Sequence, residues 1–260
     1  MGEGRALHIE GLAAIVTGGG SGLGEGAARS LAAAGAKVVV LDRSPEGAVR
    51  VAEDIGGLAL ACDVTDEAAV EAALAETERA FGTPRILVNA AGIAHVAYTL
   101  RGDAPMPLED FRRVVEVNLV GAFNVIRLAA WAMKQAEPLD GDGSRGVIVT
   151  VGSVAGFDGS IGSAGYTASK AGIHGLTLGL AREFSRFGIR VAGVAPGSFD
   201  TPMIRDNYAD SMNPWLEATP FPKRLGYPSE FGALVREIVE NPMINGETIR
   251  LDGGIRMPWF

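Results

Sequence analysis

The sequence has one cysteine, Cys62, in 260 residues, so no disulfide can close within the chain. Nor does it contain a Cys/His cluster at metal-ligand spacing, and no metal site is expected. Its three histidines, His8, His95 and His174, are scattered, and surface or ordinary core positions are expected for them. Basic blocks are missing and the formal charge is −8, which argues against binding to nucleic acid or an anionic membrane. Because no run of about 18 apolar residues occurs, no membrane span is expected. Residues 1–11, with Glu3, Arg5 and Glu10, lack the apolar centre of a secretory leader. A soluble, cytoplasmic protein is the resulting expectation.

Apolar residues are abundant, at 47%, enough for a large core. They fall into short Val/Ile/Leu-rich runs at 13–17, 37–42, 58–62, 86–89, 146–152, 189–196 and 247–251. Nearly continuous apolar runs of this length suit parallel strands buried on both faces. Helical patterns alternate with them at 22–34, 45–54, 66–81, 108–135, 164–187 and 229–240. The alternation predicts an α/β fold: a single-domain, Rossmann-type, doubly wound parallel sheet of about seven strands flanked by helices. No linker divides residues 1–260. The polar, Gly-rich stretch 137–145 reads as a surface loop. Residues 198–227 form the longest irregular stretch, with Pro202, Pro214, Pro220 and Pro222 among apolar Met203, Tyr208, Met212, Trp215 and Phe221. It reads as a substrate lid containing one or two short helices.

The first strand runs into Gly18-Gly19-Gly20-Ser21-Gly22-Leu23-Gly24, where a helix begins. Glycines allow close approach to a pyrophosphate, and the helix N-terminus offers free N–H groups and the positive end of its dipole. Strand before and helix after are the context that a dinucleotide cradle requires. The next strand ends at Asp42, placed to accept hydrogen bonds from an adenosine ribose and to repel the extra phosphate of NADP. Arg43 follows and leaves open a 2′-phosphate contact; NAD is the favoured cofactor.

Tyr166 and Lys170, four apart, share one face of a helix. An ordinary phenol, with a pKa of about 10, is a poor base at neutral pH. A neighbouring ammonium favours the phenolate, and the pair could then exchange a proton with an alcohol or ketone. Ser153 closes the strand upstream, at the carboxyl end where open α/β sheets bind ligands, and could donate to a substrate oxygen. A turn or cap is its alternative role. Asn118, inside an apolar helix, suggests a polar task or a satisfied buried amide.

In order and spacing these residues resemble the short-chain dehydrogenase/reductase family over essentially the whole chain: Thr17-Gly18-x-x-x-Gly22-x-Gly24, Asp63-Val64, Asn89-Ala90-Ala91-Gly92, Asn118, Ser153, Tyr166-x-x-x-Lys170 and Pro196-Gly197. The resemblance implies Tyr166 as acid/base, Ser153 as holder of the substrate oxygen and Lys170 as ligand of the nicotinamide ribose. It implies that Asn118 supports a water on the proton path, that Asp63 and Val64 border the adenine, and that the segment from Asn89 stabilises the sheet beside the cofactor. Thr201 would approach the nicotinamide amide. The segments Phe123-Asn124-Val125-Ile126-Arg127-Leu128, Phe221-Pro222-x-Arg224-Leu225-Gly226 and Glu240-Asn241-Pro242 look like the branch of that family that oxidises 3-hydroxyacyl-CoA with NAD as a homotetramer. So does the tail from Asn245 to Met257. Ser160 and Ser163 stand where that branch carries glutamines. An aromatic, cyclic or steroid alcohol is the alternative substrate, and a non-catalytic nucleotide-binding homologue the alternative of another class.

Overall fold

The computed structural model describes residues 7–208 and 212–257; residues 1–6 of the N-terminal stretch and 209–211 of the expected lid lie outside the described residues. The strands are β1 (Ala13–Thr17), β2 (Lys37–Asp42), β3 (Leu58–Ala61), β4 (Pro84–Asn89), β5 (Leu100–Arg101), β6 (Ala104–Pro105), β7 (Gly146–Val151), β8 (Ile189–Pro196) and β9 (Thr248–Leu251). The helices are α1 (Gly22–Ala33), α2 (Pro45–Ile55), α3 (Glu67–Phe81), α4 (Leu108–Val115), α5 (Ala122–Gln135), α6 (Ala155–Asp158), α7 (Ala164–Phe184), α8 (Pro202–Tyr208), α9 (Met212–Ala218) and α10 (Pro228–Glu240).

Seven strands form one sheet in the order β3-β2-β1-β4-β7-β8-β9, each pair parallel. Because successive side chains leave opposite faces of a strand, each strand feeds two cores. Ala14, Val16, Val38 and Val40 pack with Leu31 of α1, Val51 of α2 and Phe231 of α10. Ile15, Val39 and Leu41 pack on the other face with Val70 of α3, Ile126 and Met133 of α5, and Leu180 of α7. Local chemistry sets the helix ends. The Ser44 hydroxyl accepts from the Gly47 N–H at the start of α2, and Asp66 accepts from the Ala69 N–H at the start of α3. Gly56 closes α2 in the left-handed region, which favours glycine.

The strand order reverses at β1, which has β2 on one side and β4 on the other. A crevice at the carboxyl ends of the strands follows from that reversal.

Two regions depart from expectation. The single helix expected at 108–135 contains a π-helical segment, Glu116–Gly121, and such segments concentrate at functional sites. By length and hydropathy (1.4) the helical stretch Leu108–Gln135 could cross a membrane, though half its apolar window is buried in the fold, as in a core helix. Glu116 and Arg127 interrupt the run, which is why no uninterrupted apolar stretch is visible. The pairing of β5 with β6 had no alternating pattern to announce it. The irregular stretch 198–227 holds α8 and α9, in line with the one or two short helices expected there.

Candidate active site

On one side the crevice is made of main chain. Gly18 turns away from β1 with a φ of +64°, a region side chains rarely adopt. A Cβ on Gly18 would sit 2.9 Å from the Ala91 Cα, and one on Gly24 would sit 2.0 Å from the Gly18 carbonyl. Only glycine lets the turn, the start of α1 and the end of β4 close this tightly. Asp42, at the end of β2, accepts from the Gly20 N–H and the Ser44 N–H, each at 2.9 Å. Its carboxylate is thereby fixed at the crevice edge beside the exposed Arg43.

Below this edge, the Thr17 hydroxyl donates to Asn89 Oδ1 and accepts from the Ala91 N–H, both at 3.0 Å. Asn89 Nδ2 donates to the Ala122 carbonyl at 2.8 Å. Asn89 is therefore a brace among β1, β4 and α5 and lies beneath the crevice; it is not part of the lining. Asp63 is held below the usual carboxylate range by the main-chain N–H and hydroxyl of Thr65. Burial, with Asp63 and Asp66 nearby, pushes the Cys62 thiol up to about 11, so it is not a thiolate nucleophile at neutral pH.

On the other side, β7 and α7 supply side chains. The Ser153 hydroxyl accepts from the Ala155 N–H at 3.1 Å, which leaves its own proton for donation. Lys170 is buried, and its Nζ donates to the Val151 carbonyl at 2.9 Å. Burial lowers its pKa to about 8; at neutral pH the ammonium persists, 5.7 Å from the centre of the Tyr166 ring. The Asn118 amide is committed: Oδ1 accepts from the Ile93 N–H at 2.8 Å, and Nδ2 donates to the Ile93 carbonyl and the Ser169 hydroxyl at 2.9 and 3.1 Å. It ties the π-helical segment to the loop after β4.

One crevice is lined by Gly18, Ser21, Gly22, Leu23, Gly24, Asp42, Asp63, Val64, Ala90, Ala91, Gly92, Ser153, Tyr166, Lys170, Pro196, Gly197 and Thr201. Of the expected catalytic and cofactor-binding residues, the buried Asn89 and Asn118 fall behind the lining, and Ser160 and Ser163 are not part of it either. Sequence reasoning missed Ile93, Val117, Phe199 and Ile204, which also line it; as ordinary apolar residues they carried no signal. Of the apolar residues in 198–227, Met203 lines the crevice, whereas Phe221 is 81% exposed.

The family profile of the short chain dehydrogenases matches residues 12–211. The chain belongs to the short chain dehydrogenase family. It is 47% identical over 253 residues to the human protein named 3-hydroxyacyl-CoA dehydrogenase type-2, covering 96% of this chain and 97% of the relative. The Drosophila melanogaster protein of that name is 46% identical, covering 96% and 99%. A crystal structure titled 3-hydroxyacyl-CoA dehydrogenase type-2 from Mycobacterium avium superposes with a TM-score of 0.89 at 37% identity, covering 95% of this chain and 97% of that one. As a short chain dehydrogenase, the protein is an oxidoreductase of the alcohol carbon that uses a nicotinamide dinucleotide and interconverts a secondary alcohol and a ketone. The glycine cradle fits such a cofactor, because Gly18, Gly22 and Gly24 line the crevice and have no side chain to keep a pyrophosphate from the start of α1.

Proposed function

We propose that the protein is an NAD(H)-dependent dehydrogenase of 3-hydroxyacyl-CoA and 3-ketoacyl-CoA. The observation that carries the reading is one crevice with a fixed carboxylate, Asp42, at one end and Ser153, Tyr166 and Lys170 at the other. Asp42 supports NAD over NADP: it can accept from ribose hydroxyls and would repel a 2′-phosphate. Sequence identity of 47% over 96% of the chain to an enzyme named for 3-hydroxyacyl-CoA supports the substrate class.

When bound in the crevice, a nicotinamide dinucleotide would supply the hydride for the ketone carbon or take it up from the alcohol carbon. The chain's residues do the rest. N–H groups of the Gly18–Gly24 turn and of the start of α1 bind the pyrophosphate. Lys170 Nζ, desolvated and held by the Val151 carbonyl, binds the nicotinamide ribose and keeps a positive charge beside Tyr166. Tyr166 Oη moves the proton, giving it to the carbonyl oxygen in reduction and taking it from the hydroxyl in oxidation. Ser153 Oγ donates to the same oxygen as charge builds there. Asn118 holds the Ile93 main chain beside the crevice. Thr201, buried against Gly22, closes the nicotinamide end. Residues 198–227 act as the lid, with Met203 facing the crevice.

The same reading takes the protein to be a homotetramer. Val120, Phe123 and Trp131 leave an apolar stripe exposed on the helical stretch from α4 to α5, and a second copy related by a two-fold axis would bury it against itself. Light scattering of wild type and Trp131→Glu tests this: a monomeric wild type would end it. NADH oxidation with acetoacetyl-CoA, beside aryl, cyclic and steroid ketones and with NADPH in parallel, tests the substrate and cofactor. Selective turnover of acetoacetyl-CoA with NADH is expected. Turnover only of the other ketones moves the protein to another alcohol dehydrogenase and leaves the proton-transfer groups in place.

A further inference from the structure

His174 lies on α7 one turn beyond Lys170 and two beyond Tyr166, on the same face. The mechanism above does not use it. Its ring occupies a niche that two glycines leave open. A Cβ on Gly152 would sit 2.2 Å from His174 Nε2, and one on Gly156 would sit 2.7 Å from Cε1. The ring stacks on Phe157 with centroids 3.9 Å apart. Phe157 in turn lies 5.6 Å from the Arg250 guanidinium, which grips Asp158 through two hydrogen bonds of 2.8 Å.

The niche sits behind the strand end that presents Ser153. The Gly152 and Val154 N–H groups donate to carbonyls of Val194 and Pro196, at 2.8 and 3.0 Å. The Ser153 N–H between them donates to His174 Nε2, at 3.4 Å. A buried main-chain donor without an acceptor is costly, so the imidazole completes the turn. Accepting at Nε2 requires a neutral ring with its proton on Nδ1. Burial keeps it neutral, with Lys170 of the same helix and Arg250 of β9 adding repulsion; together they lower its pKa to about 4. Asp158, next to Phe157 on α6, is engaged by Arg250.

We propose that His174 is a positioning residue for Ser153: its Nε2 holds the Ser153 main chain, and thereby aims the hydroxyl at the substrate oxygen. The proposal rests on the reading that Ser153 binds that oxygen. Small displacements of such a group are costly, up to about a hundredfold in rate for an error of about 1 Å.

Four variants of the full-length protein test it: His174→Phe, which keeps the stacked ring and removes the acceptor; His174→Gln, which restores an acceptor without the ring; Ser153→Ala; and the Ser153→Ala/His174→Phe double variant. Turnover of the best ketone from the panel and binding of NADH, followed by its fluorescence, are the readouts. His174→Phe should lower kcat about tenfold with NADH affinity within about twofold of wild type, and His174→Gln should recover most of that loss. In the Ser153→Ala background, His174→Phe should cost little more, because the two act as one unit. Full kcat in His174→Phe, an equal loss in His174→Gln, or an undiminished loss in the double variant would overturn the proposal. If Ser153→Ala itself turns over normally, the reading of Ser153 fails and the proposal falls with it. Should His174→Phe not fold, the smaller His174→Leu serves as the acceptor-free variant under the same criteria.

Discussion

The two ends of the crevice are built from different materials. Around β1, α1 and β2 the surface offered to a ligand is main chain, turned by Gly18 and packed through Gly24, with Asp42 as its one fixed charge. Around β7 and α7 it is side chain: a hydroxyl, a phenol and an ammonium, each tied to the backbone or to its neighbours. Main-chain N–H groups have no proton to lose near neutral pH and survive every substitution except proline. They suit the permanent task of holding a pyrophosphate. Side chains can be tuned by burial and by neighbouring charge, and they suit a step in which a proton must move. Binding and chemistry should therefore separate under mutation.

The sharpest separation is expected at Tyr166. Tyr166→Phe removes the hydroxyl and nothing else, so turnover should fall by about a thousandfold while NADH affinity stays within a few-fold. Steady-state rates paired with fluorescence titration of NADH check this. A variant that turned over normally would remove Tyr166 from the proton step.

Lys170 sharpens the contrast in the other direction, by separating function from stability. Its folded pKa is about 8, below the ordinary lysine value of 10.5. Below about pH 8 both states carry the proton, and the folded state bears the cost of a desolvated charge. As pH rises from about 8 to 10.5 the folded protein releases the proton first, so this group's contribution to stability improves. Lys170→Met should therefore stabilise the cofactor-free protein at pH 7 by about 1–3 kcal/mol, a rise in Tm of several degrees, while abolishing most activity. Melting curves at pH 7 and pH 10 check both parts: the gain should shrink at the higher pH, and a destabilised variant would mean that the hydrogen bond to Val151 outweighs the burial cost.

At the main-chain end the expected effects are smaller. Asp42→Ala should weaken NADH about tenfold, near 1.4 kcal/mol, and narrow the gap to NADPH. Dissociation constants for both cofactors measure it. An unchanged preference would pass the discrimination to Arg43.

These two materials also explain what the sequence makes legible. The strands and the glycine cradle are readable because they rest on local rules: apolar runs of fixed length, and glycine between a strand and a helix. The lining from Gly18 to Lys170 came with them, since each residue sits at a strand end or on one helix face. A buried amide at Asn118 and a sheet-bracing role for the segment from Asn89 were readable; their partners, Ile93 and Ala122, were not, because they come from elsewhere in the chain. The π-helical segment at Glu116–Gly121 leaves no mark in an apolar pattern. His174 is the instructive omission. Its spacing from Lys170 placed it on the face of Tyr166, yet a lone histidine reads as ordinary until the missing Cβ atoms of Gly152 and Gly156 reveal the niche made for it.

That niche gives the side-chain end a pH dependence which main-chain N–H groups cannot have. His174 is held at about 4 against an ordinary 6.5. Between those values the unfolded chain takes up a proton that the folded one refuses, so stability is lost as pH falls from about 6.5 towards 4 and is fully present above. The loss attributable to His174 should be about 1–2 kcal/mol. His174→Phe cannot take up that proton, and its Tm should fall less steeply with acid across this window. Burial is the larger cause of the shift, with Lys170 second. Replacing Lys170 by Met should therefore raise the folded pKa of His174 only part of the way to 6.5 and shorten the acid-sensitive window without closing it. Melting curves of wild type, His174→Phe and Lys170→Met at half-unit steps between about pH 4 and 7 separate these contributions. Parallel curves for all three would place the acid sensitivity elsewhere in the fold and leave the imidazole without a part in it.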